Sequence, residues 1–222
     1  MSHLRYFILY VILQLCFCQW IEKKCYKKRK SVTFVKGCFM DNKIGKAQVA
    51  FIDALLNILK SKPFDQISVS ELSEVAQYDR RTFYRYFQSK SDILYLYCAS
   101  LLAEMAESMK KEPLTPQSGF LSYFEFWGKH RDFLLLLEKQ HLLYFLGEKQ
   151  DQLLYEHVGT VVHDDLPKEL SQVSEFSLYA YYFTLGGLWQ TLVLWIRTGM
   201  KQTPKQLTDY ILMSFTEMQK LI

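Results

Sequence analysis

Between residues 80 and 90 the chain carries four cations, Arg80, Arg81, Arg85 and Lys90, and no acid. Thr82, Tyr84 and Tyr86 are interleaved with them. Guanidinium groups present flat forks of N–H donors that fit a phosphate or the edge of a guanine, and phenol hydroxyls reach phosphate oxygens. The chemistry is recognition of a polyanion with readable edges. The same residue types also make the solvated face of an ordinary basic helical hairpin, and the strip alone does not separate the two readings.

The residues that must position this strip are the aromatics spaced through it. Phe83 and Phe87 sit four apart, so both point to one side of a helix and leave Arg80, Arg81, Thr82, Tyr84, Arg85 and Tyr86 pointing elsewhere. Asp79 stands where an N-cap carboxylate belongs. Before it, Ser68 and Glu71 form a capping box for a short helix with Leu72, Val75 and Ala76 as its apolar stripe. Gln77-Tyr78 breaks the two helices, and Ser89 to Asp92 opens a third. Two short helices joined by a tight turn make a helix-turn-helix, whose second helix enters the DNA major groove. An amphipathic helix from Lys46 to Lys60 precedes them and ends at Ser61-Lys62-Pro63. Phe64 and Ile67 read as plugs of a three-helix core built on Phe51, Leu55, Leu72, Ala76, Phe83 and Phe87. Lys43 and Lys46 precede the apolar face of the first helix, where they could reach a phosphate or simply be solvated.

The run Thr82 to Leu94, TFYRYFQSKSDIL, closely resembles the signature of the TetR/AcrR family of bacterial transcription regulators. With Ile67, Leu72 and Ala76 in step, the resemblance covers about Lys43 to Leu102. Three positions depart from the usual pattern: Ser91 looks inserted before Asp92, and Gln77 and Asp79 stand where Gly and Ser are common. Gly eases a positive φ in such a turn, so Gln77 is expected to strain it slightly. The resemblance implies an all-α fold, with a three-helix DNA-binding domain over residues 40–90 and a helical ligand-binding and dimerisation domain over 91–222. It implies double-stranded operator DNA as partner, palindromic because two heads meet two half-sites. On this reading Arg80, Arg81, Thr82, Arg85 and Tyr86 face bases and phosphates. Tyr84 and Lys90 clamp phosphate, Lys90 matching the phosphate-contacting lysine of the family, and Lys46 and Ser68 complete the DNA-binding set. The helix from Ser89 to about Lys111 becomes the connector that carries ligand binding to the head, about 30 Å long.

The remaining sequence stays helical. Helices are expected over Gln117 to Lys129, Arg131 to Lys139, His141 to His163, Gln172 to Thr198 and Pro204 to Leu221, with a break at Asp164-Asp165-Leu166-Pro167. The penultimate helix is apolar nearly all round, and Gly186-Gly187 in its middle cost stability unless another backbone approaches. Gly186, Gly187, Trp189, Leu192, Tyr210 and Phe215 are therefore expected in a homodimer made by the last two helices, as the resemblance also implies. Aromatics crowd the intervening region: Phe120, Tyr123, Phe124, Phe126, Trp127, Phe133, Tyr144, Phe145 and Tyr155. Such a stripe is first of all core; in the family this region also surrounds an effector pocket, and this lining would suit an apolar or aromatic small molecule.

No enzyme constellation stands out. His157, His163, Asp164 and Asp165 match no metal-ligand spacing, and no nucleophile sits in a recognisable elbow. No cofactor is expected and no glycine-rich phosphate loop occurs. The expected role is a homodimeric repressor in the cytoplasm, its operator binding modulated by a small effector. A membrane-tethered regulator and a helical interaction protein that binds no DNA are the alternatives.

The tether alternative rests on residues 1–39. The net charge of +4 is misleading: this head holds eight Lys/Arg and one acid, leaving 19 bases and 22 acids in the remainder. What favours DNA is the local strip, not net charge. Tyr6 to Ile21 is almost unbroken apolar and Glu22 to Lys30 follows as a basic run. No small-residue cleavage site follows, as a signal peptide needs. The apolar run is shorter than the roughly 20 residues that span a bilayer. Translation from Met40 is the favoured expectation, with an anchor and an export signal as competitors. A membrane is a partner only if residues 1–39 are translated. Four of the five cysteines lie in this head without a zinc or disulfide pattern, and Cys98 stands alone beyond it.

Overall fold

A computed structural model describes residues 44–109, 115–162 and 175–220. The head 1–39 and the break His163 to Pro167 lie outside them. The described residues are all helical: α1 (Lys46–Leu59), a 3-10 turn (Phe64–Gln66), α2 (Val69–Ala76), α3 (Arg80–Tyr86), α4 (Lys90–Ser108), α5 (Pro116–Lys129), α6 (Arg131–Lys139), α7 (Leu143–Val162), α8 (Glu175–Arg197) and α9 (Pro204–Lys220). The fold is an N-terminal three-helix helix-turn-helix domain followed by a C-terminal helical domain.

The described residues fall into two compact units. One holds residues 44–104 and 132–153, the other 105–109, 115–131, 154–162 and 175–220. The division does not fall at residue 90. α6 and the start of α7 cluster with the first three helices because specific contacts hold them there. Phe145 meets Phe64 edge-on at 5.8 Å and Tyr95 at 4.8 Å. The Tyr95 hydroxyl donates to the Glu148 carboxylate, which pushes the phenol pKa up to about 12.

In the first unit the six expected core residues all lie inside: Phe51, Leu55, Leu72 and Phe83 are fully buried, with Phe87 and Ala76 beside them. Phe51 is the centre. It packs edge-on against Phe83 at 5.4 Å and Phe87 at 6.0 Å, so one ring of α1 fixes α3 through Phe83 and the residue that caps its end, Phe87. Burying each such ring contributes on the order of 2 kcal/mol, and the edge-to-face pairs add to it.

In the second unit α5 lies along α9 and Trp195 of α8. A Cβ on Gly128 would stand 3.5 Å from the Trp195 ring and 3.7 Å from Pro204, so a small residue lets the helices approach here. Trp195 also donates its indole N–H to Gln202 O at 3.0 Å, which fixes the α8–α9 corner. α8 turns Leu188, Leu192, Val193, Trp195 and Ile196 inward. Leu192, expected at a dimer interface, is instead fully buried in its own chain.

Candidate nucleic-acid interface

The hairpin is built by caps at both helices. Ser68 Oγ accepts the Glu71 amide at 3.2 Å. The Glu71 carboxylate is held below its ordinary pKa, chiefly by the Lys62 ammonium at 2.7 Å and also by the Ser68 amide. α2 ends at Gln77, which adopts φ 58° and ψ 37°, and the Tyr78 amide closes back on Ser73 O at 3.0 Å. This is the left-handed C-terminal turn that glycine usually supplies. Two residues later Asp79 accepts the Thr82 amide at 2.6 Å and opens α3. That bond, more than the neighbouring Arg81 and Arg85, lowers the Asp79 pKa.

With Phe83 and Phe87 turned inward, the outer face of α3 is the strip read in the sequence. Arg80, Arg81 and Arg85 are exposed, as are Tyr84 and Tyr86, while Thr82 is half-buried. Arg80 and Arg81 form no ion pair among the described residues. Arg85 lies over the Tyr86 ring at 4.8 Å and donates to its hydroxyl at 3.3 Å, so the two side chains hold one another in place. Lys46 and Ser68 are exposed on the same unit. The face is a cluster of donors with no carboxylate within it, which is what a phosphate backbone and base edges require.

Lys90 is placed differently from the expectation. Its ammonium donates to Phe64 O at 2.7 Å, Asp65 O at 2.9 Å and Ile67 O at 3.0 Å. It also sits 4.8 Å above the Phe64 ring. All three N–H groups are used on the loop before α2, and none is left pointing outward. The start of α4 is capped instead by Asp92, which accepts the Gln88 and Ser89 amides at 2.7 and 2.9 Å.

The expected dimer residues scatter. Gly186 and Gly187 are exposed with open space around them, Trp189 is half-buried, Tyr210 is exposed, and Phe215 stacks on Phe120. Tyr179, Phe183 and Leu194 share the open face of α8 with the glycines, each more than half exposed. Their spacing of four, then three or four to the glycines, was visible, but a helix apolar on every side does not say which side is open.

No metal-binding cluster occurs among the described residues, and His163, Asp164 and Asp165 lie outside them. Among the described residues no helix is long and apolar enough to cross a membrane.

Two family models match the chain. One, described as bacterial regulatory proteins of the tetR family, covers residues 51–95, which span the hairpin and its core. The other, described as a transcriptional regulator C-terminal region, covers residues 115–217. No curated protein matches the chain. The geometry of the hairpin and these two matches together place the chain in the tetR family of bacterial transcriptional regulators, which act by binding DNA.

Proposed function

We propose that the protein is a homodimeric repressor that binds a palindromic operator through the outer face of α3 and releases it in response to a small effector. The observation that carries the reading is the exposed strip itself: three arginines and two tyrosines outward, Phe83 and Phe87 inward on Phe51. Arg80, Arg81, Thr82, Arg85 and Tyr86 take bases and phosphates, with Tyr84, Lys46 and Ser68 on the backbone. The protein works in the cytoplasm and catalyses no reaction.

Dimerisation is supported by α8. From Phe176 to Ile196 it carries no charged residue, yet Tyr179, Phe183, Gly186, Gly187 and Leu194 are open on one face. Tyr210 and Met213 of α9 are open as well. Apolar surface of this extent is costly to leave in water. An effector is supported by an open cavity of about 230 Å³ between α5, α8 and α9, walled by Phe120, Leu188, Ile211 and Phe215 and reached from the open face of α8 at Phe183 and Gly187. A lining of this kind suits an apolar or aromatic molecule.

The test is a hydroxyl-radical footprint on the gene's upstream region with the binding stoichiometry measured alongside. The reading expects two protected patches about one helical turn apart and two chains per site. One chain on a single patch would refute the dimeric operator.

A further inference from the structure

The loop between α1 and α2 must end one helix, make a 3-10 turn and start another between residues 60 and 68. Helix ends leave carbonyls without partners inside the helix. Here two side chains from distant parts of the chain collect them. Lys90, at the start of α4, takes Phe64 O, Asp65 O and Ile67 O. Gln140, immediately after α6, donates Nε2 to Leu59 O at 2.6 Å and to Lys62 O at 3.3 Å. Five carbonyls within nine residues are thus held by one ammonium and one amide. Gln140 lies in the stretch matched as the C-terminal region, yet it belongs to the same compact unit as the hairpin.

We propose that Gln140 and Lys90 are paired latches on the α1–α2 loop that set the angle at which the hairpin is presented to DNA. Gln140 is then a positioning residue for operator binding from outside the helix-turn-helix, and Lys90 a positioning residue rather than a phosphate contact. The reasoning is mechanical. α2 begins at the end of this loop, and only Gln77, Tyr78 and the cap Asp79 separate it from α3, so the hairpin turns with the loop. α1 is tied to the same loop at Leu59 and Lys62 by Gln140. Base readout needs a fixed register, whereas non-specific attraction to phosphate does not. Loosening the loop therefore removes specificity before it removes electrostatic binding. The inference rests on the chain binding an operator, and one arm of its test does not.

The experiment uses the full chain. Gln140→Ala, Gln140→Glu, Lys90→Met and the double variant Gln140→Ala/Lys90→Met are compared with wild type by fluorescence anisotropy. The probes are the tightest duplex from the gene's upstream region and a scrambled duplex, over a salt series. Amide exchange of residues 59–72 is followed without DNA. Each single variant is expected to lose about tenfold in the ratio of specific to scrambled affinity, the worth of one or two hydrogen bonds. The salt slope should stay at the wild-type value and the loop amides should exchange faster. Gln140→Glu keeps the shape but cannot donate to carbonyls, so it should behave as Ala does. The double variant should lose less than the product of the two, because both act on one loop. A slope reduced by about one in Lys90→Met would make Lys90 a phosphate contact and overturn its half of the proposal. A lower melting temperature with an unchanged specificity ratio would reduce both residues to structural roles. If wild type itself favoured no duplex, the operator reading would fail, and unaccelerated loop amides in both variants would overturn the latches independently.

Discussion

The Asp79 carboxylate accepts the Thr82 amide at 2.6 Å, so the helix that carries the basic strip is opened by the acid beside it. An α-helix of seven residues cannot hold itself, and its cap and its two buried rings have to. Asp79→Ala is expected to lower the urea midpoint at neutral pH, because the Thr82 amide loses its acceptor. The cap also gives a pH signature. Its pKa is depressed below the ordinary 3.8, so its contribution is present above about pH 4 and is lost as pH falls through the lower folded value. Asp79→Asn keeps an acceptor without the charge and should flatten that acid limb, read from urea midpoints at pH 3 to 7.

Gln77 sits at φ 58°, a conformation that a side chain resists by roughly 1 kcal/mol and glycine does not. Gln77→Gly is expected to raise the melting temperature by about 2–4 °C, with DNA affinity unchanged. A lower melting temperature would show that the Gln77 side chain contributes more than its backbone costs.

Much of this is legible in the sequence. Ser68, Asp79 and the Phe83–Phe87 spacing announce themselves because caps and four-residue spacing act within one or two turns. What stayed hidden acts over distance. The bonds from Gln140 to Leu59 and Lys62 bridge about eighty residues and leave no periodic trace. A lysine at a helix start, such as Lys90, serves a phosphate or a carbonyl alike, and its bonds to the loop carbonyls leave no mark in the sequence. Leu192 was misplaced because α8 is apolar on every side. Its inward face is defined by Trp195 and Ile196, and its outward face by Phe183 and Leu194.

The open face of α8 makes a direct prediction. Phe183→Glu and Leu194→Asp place charges where the side chains are 67% and 62% exposed. Neither should disturb the fold of a single chain. Together they should convert the proposed dimer to monomer in sedimentation experiments. Unchanged sedimentation would move the interface elsewhere.

Cys98 is fully buried, and burial pushes its thiol up to about 12. The thiolate is the reactive form. After brief alkylation at pH 8, peptide mapping should find Cys98 unmodified in the native chain and fully modified in urea. Rapid native labelling would mean that α4 opens at this point.

Arg80 and Arg81 are exposed and form no ion pair among the described residues, so DNA should feel their loss. Replacing either with Ala is expected to cost about 1–3 kcal/mol at one base pair, or to lower the salt slope by about one where the contact is to phosphate. The two outcomes separate base readers from backbone contacts residue by residue.

The most direct test is fluorescence anisotropy of the chain on duplexes tiled across its own gene's upstream region, at two salt concentrations. The α3 reading predicts one tile bound at least about a thousandfold tighter than the rest, with that preference lost in Arg80→Ala/Arg81→Ala. Equal, salt-labile binding to every tile and to genome-wide fragments, unchanged by that double variant, would contradict it and leave the hairpin as a basic surface only.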